Sequence, residues 1–265
     1  MSAPSLRAFL LAGRRTGGDA LAEAAGVSHK ARIPVAGVPM VVRVLRALRG
    51  SGRIAETWLC IDDPELTGCS EIADARARGE LRLVAPERGP SASVASMFGQ
   101  LEGAQTALVT TADHPLLEPA MIAHFVDEAA RVDADVVVGV VAEETLRARY
   151  PDVPRTFLGP RPTRVTGANL FLLRTPRAAR AVAFWQEMDA RRKQPWRLVS
   201  RIGLGSLARY ALGRLDLDEA VRDLSERAGA RAALLALPFP ECALDVDRPE
   251  HLSLIEEILT TRRSG

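Results

Sequence analysis

Leu6-Arg7-Ala8-Phe9-Leu10-Leu11-Ala12-Gly13-Arg14-Arg15-Thr16-Gly17-Gly18 is a short apolar run that leads into a glycine-rich turn. Glycine has no Cβ, so backbone N–H groups in such a turn can approach a phosphate closely, and Arg14 and Arg15 add positive charge. No Gly-Lys-Ser/Thr follows and the spacing is not Gly-x-Gly-x-x-Gly, so the turn is neither a P-loop nor a dinucleotide fingerprint. By itself it also reads as a plain flexible connection from strand to helix.

Outward from this strand, short apolar runs alternate with segments of helical period, the pattern of an α/β fold with a largely parallel sheet. Strands are expected at Leu6–Leu11, Thr57–Ile61, Leu81–Ala85, Ala107–Thr111, Asp135–Val141 and Val165–Leu173, with a seventh near Arg231–Leu237. Apolar residues at spacings of three and four predict helices over Met40–Leu48, Ser93–Leu101, Ala120–Arg131, Ala178–Arg191 and Glu250–Ile258. The unalternated run Val136-Val137-Val138-Gly139-Val140-Val141 suits a central strand covered on both faces. Two consecutive helical segments, Trp196–Leu212 and Leu217–Ala228, have no strand between them and read as a helical insertion. The expected architecture is a three-layer α/β/α sandwich around a mostly parallel, Rossmann-like sheet. It forms one domain over residues 1–265 with an insertion at about 196–228, and only Thr260–Gly265 reads as a weak tail.

Composition narrows the function. The 35 Lys and Arg against 33 Asp and Glu leave a net charge of +2 without a long basic run, which argues against a nucleic acid partner. The three cysteines, Cys60, Cys69 and Cys242, lie far from any Cys-x-x-Cys or Cys/His spacing, so neither a disulfide framework nor a zinc site is indicated. No segment approaches the roughly 20 apolar residues that cross a bilayer, and Met1–Arg7 leads into too short an apolar stretch for a secretory signal. The expected setting is a reducing cytoplasm, without a membrane partner.

After the turn comes His29-Lys30-Ala31-Arg32-Ile33-Pro34-Val35-Ala36-Gly37-Val38-Pro39-Met40, and then an amphipathic helix. Together with Leu11–Gly18 it resembles the opening signature of the MobA-like NTP transferases, nucleotidyltransferases with a GT-A-like fold. There a strand and Leu-x-Ala-Gly-Gly-x-x-x-Arg-x-Gly lead to a Lys-Pro-Leu-Leu-Pro-Val-x-Gly-x-Pro-Met stretch. The resemblance implies that Leu11, Ala12, Gly13 and Arg14 wrap a triphosphate and that Lys30 contacts its phosphates. The family's loop arginine falls near Gly18 here, so Arg14 or Arg15 would supply its charge. Asp19–Gly26 lengthens the loop, adding either a helical turn over the nucleotide or simply more loop.

Ala112-Asp113-His114-Pro115-Leu116 leaves the fourth strand at the carboxyl edge of the sheet, where open α/β sheets bind ligands. The resemblance makes Asp113 a metal ligand, and the alternative is a helix cap. Ala243-Leu244-Asp245-Val246-Asp247-Arg248-Pro249-Glu250 resembles the family's Asp-x-Asp-Thr-Pro-Glu signature, with Asp247 the better match for a second ligand and Asp245 next. Carboxylates of this kind would hold Mg²⁺, or Mn²⁺, together with triphosphate oxygens. Arg88-Gly89-Pro90-Ser91-Ala92-Ser93 resembles the family's base-recognition loop, which points to Pro90, Ser91 and Ser93; a cap at Ser91 is an equal reading. Arg161, Arg164, Thr166, Gly167 and Asn169 lie in the region that binds the acceptor in many relatives, and guanidinium forks suit an acceptor phosphate. Each arginine taken singly reads more simply as part of a solvated loop.

Together these motifs imply a metal-dependent nucleotidyltransferase. It would move NMP from an NTP, GTP or CTP, to a phosphorylated small molecule and release pyrophosphate, with Lys30, Arg15 and Asp113 as its catalytic residues. Two rivals stand beside it, a GT-A glycosyltransferase using a sugar nucleotide and a non-catalytic nucleotide-binding protein of the same fold. Phe184, Trp185, Met188 and Trp196 read as core or as the surface of a homodimer.

Overall fold

The computed structural model describes residues 6–14, 19–101, 106–160, 162–191 and 216–264. They fall into two units. The first takes the residues up to Pro90, Ala107–Asp127 and those from Leu244 on, and the second takes Ser91–Thr106 and Glu128–Ala243.

The first unit is built on four parallel strands, β1 (Leu6–Leu11), β4 (Ile54–Cys60), β5 (Leu81–Val84) and β6 (Ala107–Thr111), in the sheet order β5-β4-β1-β6. Leu11 is in register with Cys60 on one side and with Thr111 on the other, so three strands end at one level. The ladder continues one step beyond, where the Ala12 N–H donates to Cys60 O and the Ala112 N–H to Leu11 O, both at 2.9 Å. Phe9 and Leu10 on β1 are fully buried, and Phe9 lies against Trp58 with ring centroids 5.5 Å apart.

After β1 come α1 (Ala20–Ala24), a 3-10 turn at Lys30–Arg32, and the short strands β2 (Pro34–Val35) and β3 (Val38–Pro39). β2 and β3 pair antiparallel through a two-residue turn with Ala36 at φ 46° and Gly37 at φ 79°. A turn with both central residues at positive φ matches the twist of the hairpin, and glycine takes that conformation without a Cβ penalty. Helix α2 (Met40–Gly50) buries Met40, Val41, Val44, Leu45 and Leu48 along one face, the helical stripe that the sequence displays. A 3-10 turn at Pro64–Gly68 and α3 (Ser70–Ala77) come after β4, and α4 (Pro90–Gly99) and α5 (Pro119–Arg131) come after β5 and β6.

The second unit carries β7 (Val136–Ala142), α6 (Glu143–Arg149), β8 (Val165–Leu173), α7 (Ala178–Arg191), α8 (Leu217–Ala228) and β9 (Ala232–Ala236). β7 lies between β8, antiparallel to it, and β9, parallel to it. Neighbours on both edges and near-complete burial explain its unalternated valines. The first unit closes the chain with α9 (Pro249–Ser264).

The α/β class and the mostly parallel sheet are those expected, with β7 and β8 forming an antiparallel pair. β1, β6, β8, α7 and α8 have the expected bounds, and the other expected elements differ by a few residues at their ends. Helix α9 runs to Ser264, so residues 260–264 of the stretch expected as a weak tail are helical. The helix expected at Trp196–Leu212 lies outside the described residues. Two helices escaped the sequence reading because they offer little apolar periodicity: α3 buries only Ile72 and Ala75, and α6 only Leu146.

Asp135 clamps the start of β7. Its carboxylate accepts from the Thr175 hydroxyl at 2.6 Å and from the Arg231 N–H at 2.8 Å. Burial pushes this carboxyl up, but these hydrogen bonds and nearby arginines outweigh burial and hold it below the ordinary value of 3.8. Asp135→Ala is expected to cost about 1–3 kcal/mol at neutral pH, seen as a lower urea midpoint with unchanged slope. Since the folded-state value is the depressed one, the contribution is complete above pH 3.8 and is lost as pH falls through the folded value. The gap between parent and variant should therefore narrow in acid.

Candidate functional site

The common level at which β1, β4 and β6 end places three connecting segments side by side in the first unit. Beyond β1 lie Gly13 and Arg14, beyond β4 Asp62, and beyond β6 Asp113. At Gly13 a Cβ would stand 3.2 Å from Pro86 Cβ, a tight contact beside the loop after β5 that glycine avoids.

Lys30 begins the 3-10 turn, which is capped by His29, whose Nδ1 accepts from the Ala31 N–H at 3.0 Å. The Lys30 ammonium donates to Asp113 Oδ2 at 2.9 Å and to Asp247 Oδ1 at 2.8 Å. Three residues separated by up to 217 positions in sequence thus meet at one nitrogen. The last segment is anchored from below, since the Val246 N–H donates to Asp113 O at 2.9 Å and the Asp247 N–H to His251 Nδ1 at 3.3 Å. Asp245, one peptide earlier than Val246, turns instead toward the buried His114, with Oδ2 3.9 Å from Nε2. Of the two aspartates expected here, Asp247 joins Asp113 and Lys30, and Asp245 does not.

Burial is the largest influence on Asp113 and pushes its carboxyl up. The charges of Lys30 and His114 outweigh it and hold Asp113 below the usual carboxylate range. Burial likewise lowers Lys30, but the two carboxylates outweigh it and raise the ammonium above its ordinary value. Asp113 and Lys30 are therefore both ionised at neutral pH.

Gly13, Arg14, Lys30 and Asp113 line a cavity of about 330 Å³, walled on its far side by Ala22 and Glu23 of α1. That volume is in the range of small-molecule sites. The segment Asp19–Gly26 thus supplies a helical turn that walls the cavity, with the Asp19 carboxylate capping it through the N–H groups of Leu21 and Ala22.

A divalent cation would find hard carboxylate oxygens here. Asp113 Oδ1 is buried and has no hydrogen-bond partner among the described residues, and Asp113 Oδ2 and Asp247 Oδ1 already converge on one cation. No group of three or more His, Cys, Asp or Glu side chains suited to a metal occurs among the described residues, so the remaining ligands would come from phosphate oxygens and water. On that donor set the residues fit Mg²⁺.

A family model for the MobA-like NTP transferase domain matches residues 12–237. The chain belongs to this family. It is a family of nucleotidyltransferases, which transfer NMP from an NTP and are typically Mg²⁺-dependent. A solved structure titled a hypothetical transferase from Thermus thermophilus is similar over 93% of this chain and 99% of its own, with 32% identity and a TM-score of 0.78. CMP:2-keto-3-deoxy-manno-octonic acid synthetase complexed with CTP covers 97% of this chain and 100% of its own, at 15% identity and a TM-score of 0.57. The 4-diphosphocytidyl-2C-methyl-D-erythritol synthase from Anaerococcus prevotii covers 98% and 100%, at 11% identity and a TM-score of 0.57. At those identities the last two show the fold. No curated protein matches the chain. No helix among the described residues is long and apolar enough to cross a membrane.

The remaining expected residues belong to the second unit or border it. Pro90 opens α4. Ser91 is the second residue of the helix rather than its cap, and its buried hydroxyl donates to Asp189 Oδ2 of α7 at 3.2 Å; Ser93 is buried as well. Arg164 lies 3.2 Å from Glu143 and over the Phe157 ring, so its charge is already paired. Thr166 is buried, on the opposite face of β8 from Gly167 and Asn169. Asn169 has φ 49°, where the β7–β8 register shifts and β8 carries extra residues, a bulge that re-aims the strand. Arg15 and Arg161 lie outside the described residues.

The sequence reading missed Asp62 and the part played by His29. The signal was the acidic pair Asp62-Asp63 directly after β4, the strand next to β1, but strand adjacency is not written in the sequence.

Replacing Lys30 with the similarly sized Met would leave Asp113 and Asp247 facing each other without their shared cation. The Asp113 carboxyl is expected to rise above 3.8 in a carbon-detected NMR titration, since burial then acts on it with less opposition. Lys30→Met should also lose about 1–3 kcal/mol at neutral pH, a value kept modest because Asp247 is 38% exposed. Asp113 in the parent is stabilising above pH 3.8, so the deficit should shrink as pH falls toward and below that value.

Proposed function

We propose that this protein is a Mg²⁺-dependent guanylyl- or cytidylyltransferase that joins NMP to a phosphorylated small molecule, with the whole chain acting as one transferase domain. The observation that carries the reading is the convergence of Asp113 and Asp247 on Lys30, with Lys30 and Asp113 lining a cavity edged by Gly13 and Arg14.

In this reading Gly13 and Arg14 bind the triphosphate through backbone N–H groups and a guanidinium, and Leu11 and Ala12, with the Ala12 N–H held by Cys60 O, position the start of that turn. Lys30 turns its ammonium from the carboxylates to the phosphates. Asp113 and Asp247 hold Mg²⁺, which when bound neutralises developing charge on the phosphates. Arg15 adds charge to the same loop. A phosphate oxygen of the acceptor forms the new bond to the α-phosphorus in line as the bond to the β-phosphate oxygen breaks, and pyrophosphate leaves with that electron pair. A phosphate monoester has its second pKa near ~6 and arrives ionised, so no protein base is required. The protein's work is positioning and charge compensation.

Pro90, Ser91 and Ser93 are proposed for the base, by the backbone in preference to the Ser91 hydroxyl that Asp189 holds. Arg161, Arg164, Thr166, Gly167 and Asn169 are proposed for the acceptor. Arg164 would have to leave Glu143 to reach a phosphate. The CTP in the synthetase of the same fold supports keeping cytosine beside guanine.

Thermal denaturation with each of the four NTPs, with and without Mg²⁺, tests the donor. A ligand at a hundredfold excess over its Kd stabilises by about 2.7 kcal/mol, so a shift confined to GTP or CTP and dependent on Mg²⁺ is expected. A shift with sugar nucleotides alone would overturn the reading in favour of a glycosyltransferase. With the donor known, Asp113→Ala should lower pyrophosphate release against a panel of phosphorylated acceptors by about a hundredfold or more while the fold is kept. Near-parental release would remove Asp113 from the chemistry.

A further inference from the structure

We propose that Asp62 is a positioning residue that sets both cationic phosphate contacts, Arg14 directly and Lys30 through His29. The proposal rests on the assignment of this site to an NTP.

Asp62 stands two residues beyond the end of β4, next to the segment that leaves β1. One of its carboxylate oxygens, Oδ2, lies 3.8 Å from Arg14 Nε, and the other, Oδ1, lies 3.2 Å from His29 Nε2. The imidazole is buried and its tautomer is fixed by its partners. Nδ1 accepts from the Ala31 N–H at 3.0 Å and so carries no proton. The proton of the neutral ring is then on Nε2, which donates to Asp62. The ring is held at both ends, and the end that accepts from Ala31 caps the turn beginning with Lys30. Asp62 thus fixes the direction of the Arg14 guanidinium and, one ring away, the turn that aims the Lys30 ammonium.

Electrostatics alone makes the opposite prediction. A carboxylate beside a triphosphate site repels the ligand, so its removal should tighten binding. A carboxylate that preorganises two cations has the reverse effect, because without it their ordering opposes the binding step. The sign of the effect therefore separates the two views.

The experiment is calorimetric titration of the full chain with its preferred NTP and with the corresponding NMP, both with Mg²⁺, for the parent and for Asp62→Ala, Asp62→Asn and His29→Asn. Asp62→Ala is expected to lower the preference for NTP over NMP about tenfold, since the contacts at stake are those to the outer phosphates. Asp62→Asn keeps an acceptor for His29 but has no charge for Arg14, and should fall between Asp62→Ala and the parent. His29→Asn, whose shorter side chain can cap the turn but lacks the ring nitrogen that Asp62 holds, should fall between Asp62→Ala and the parent. Combined with Arg14→Ala, the Asp62→Ala loss should be less than additive. Should Asp62→Ala fail to fold, Asp62→Asn decides the matter alone: a preference at or above the parent's overturns the proposal. A parallel loss of NTP and NMP affinity also overturns it, because general loosening of the site has that signature. A parent that binds NTP beside variants with unchanged preference overturns this assignment only, whereas a parent that binds no NTP overturns the nucleotide reading and this assignment together.

Discussion

The register of β1 with its two neighbours is the constraint on which the site depends. Leu11 stands level with both Cys60 and Thr111, so the chain leaves three adjacent parallel strands at one height. Parallel strands deliver their carboxyl ends to the same edge, and the segments leaving that edge lie next to one another whatever their separation in sequence. Gly13, Asp62 and Asp113 are neighbours for this reason. A slip of one residue in either pairing would exchange the faces of Phe9 and Leu10; both faces are buried, so the register is held by the fit of side chains such as Phe9 against Trp58.

On that edge, opposite charges are paired locally. Lys30 sits between Asp113 and Asp247, and Asp62 between Arg14 and His29. In each case a partly buried ion is held by partners from distant segments, which offsets the cost of desolvation and orders the loops that carry them. The two clusters share the turn from His29 to Arg32, so the capping of one turn connects the aim of the lysine with the loop after β1. A family of nucleotidyltransferases needs such preorganised charge, because its reaction asks the protein for position and compensation more than for proton transfer.

The second unit answers a different demand. Its strand β7 is buried between an antiparallel and a parallel neighbour, and the bulge in β8 sets Asn169 in a conformation that asparagine tolerates better than most residues. Residues that look alike in the sequence part company there. Thr166 and Gly167 are adjacent, yet one packs inward and the other faces out, and Ser91 lends its hydroxyl to Asp189 rather than presenting it.

Much of the protein was legible in its sequence. The apolar runs of β1, β6 and β8 and the helical stripes of α2 and α7 declare themselves, because burial imposes periods of two and of 3.6 on any chain that forms a core. Lys30, Asp113 and Asp247 were legible through the motifs around them, and the fold class through the alternation of strands and helices. What the sequence could not display was proximity. That Asp247 meets Lys30 while Asp245 lies toward His114 is decided by how the segment is seated, with the Val246 N–H tied to Asp113 O. That Asp62 reaches both Arg14 and His29 is decided by the order of strands in the sheet. Helices such as α3 and α6, with one or two buried residues each, were hidden because their formation depends on the surface they cover and hardly on their own pattern. Local sequence determines which elements form where burial is periodic, and only tertiary structure determines which of their ends come together, because that depends on contacts between residues far apart in the chain.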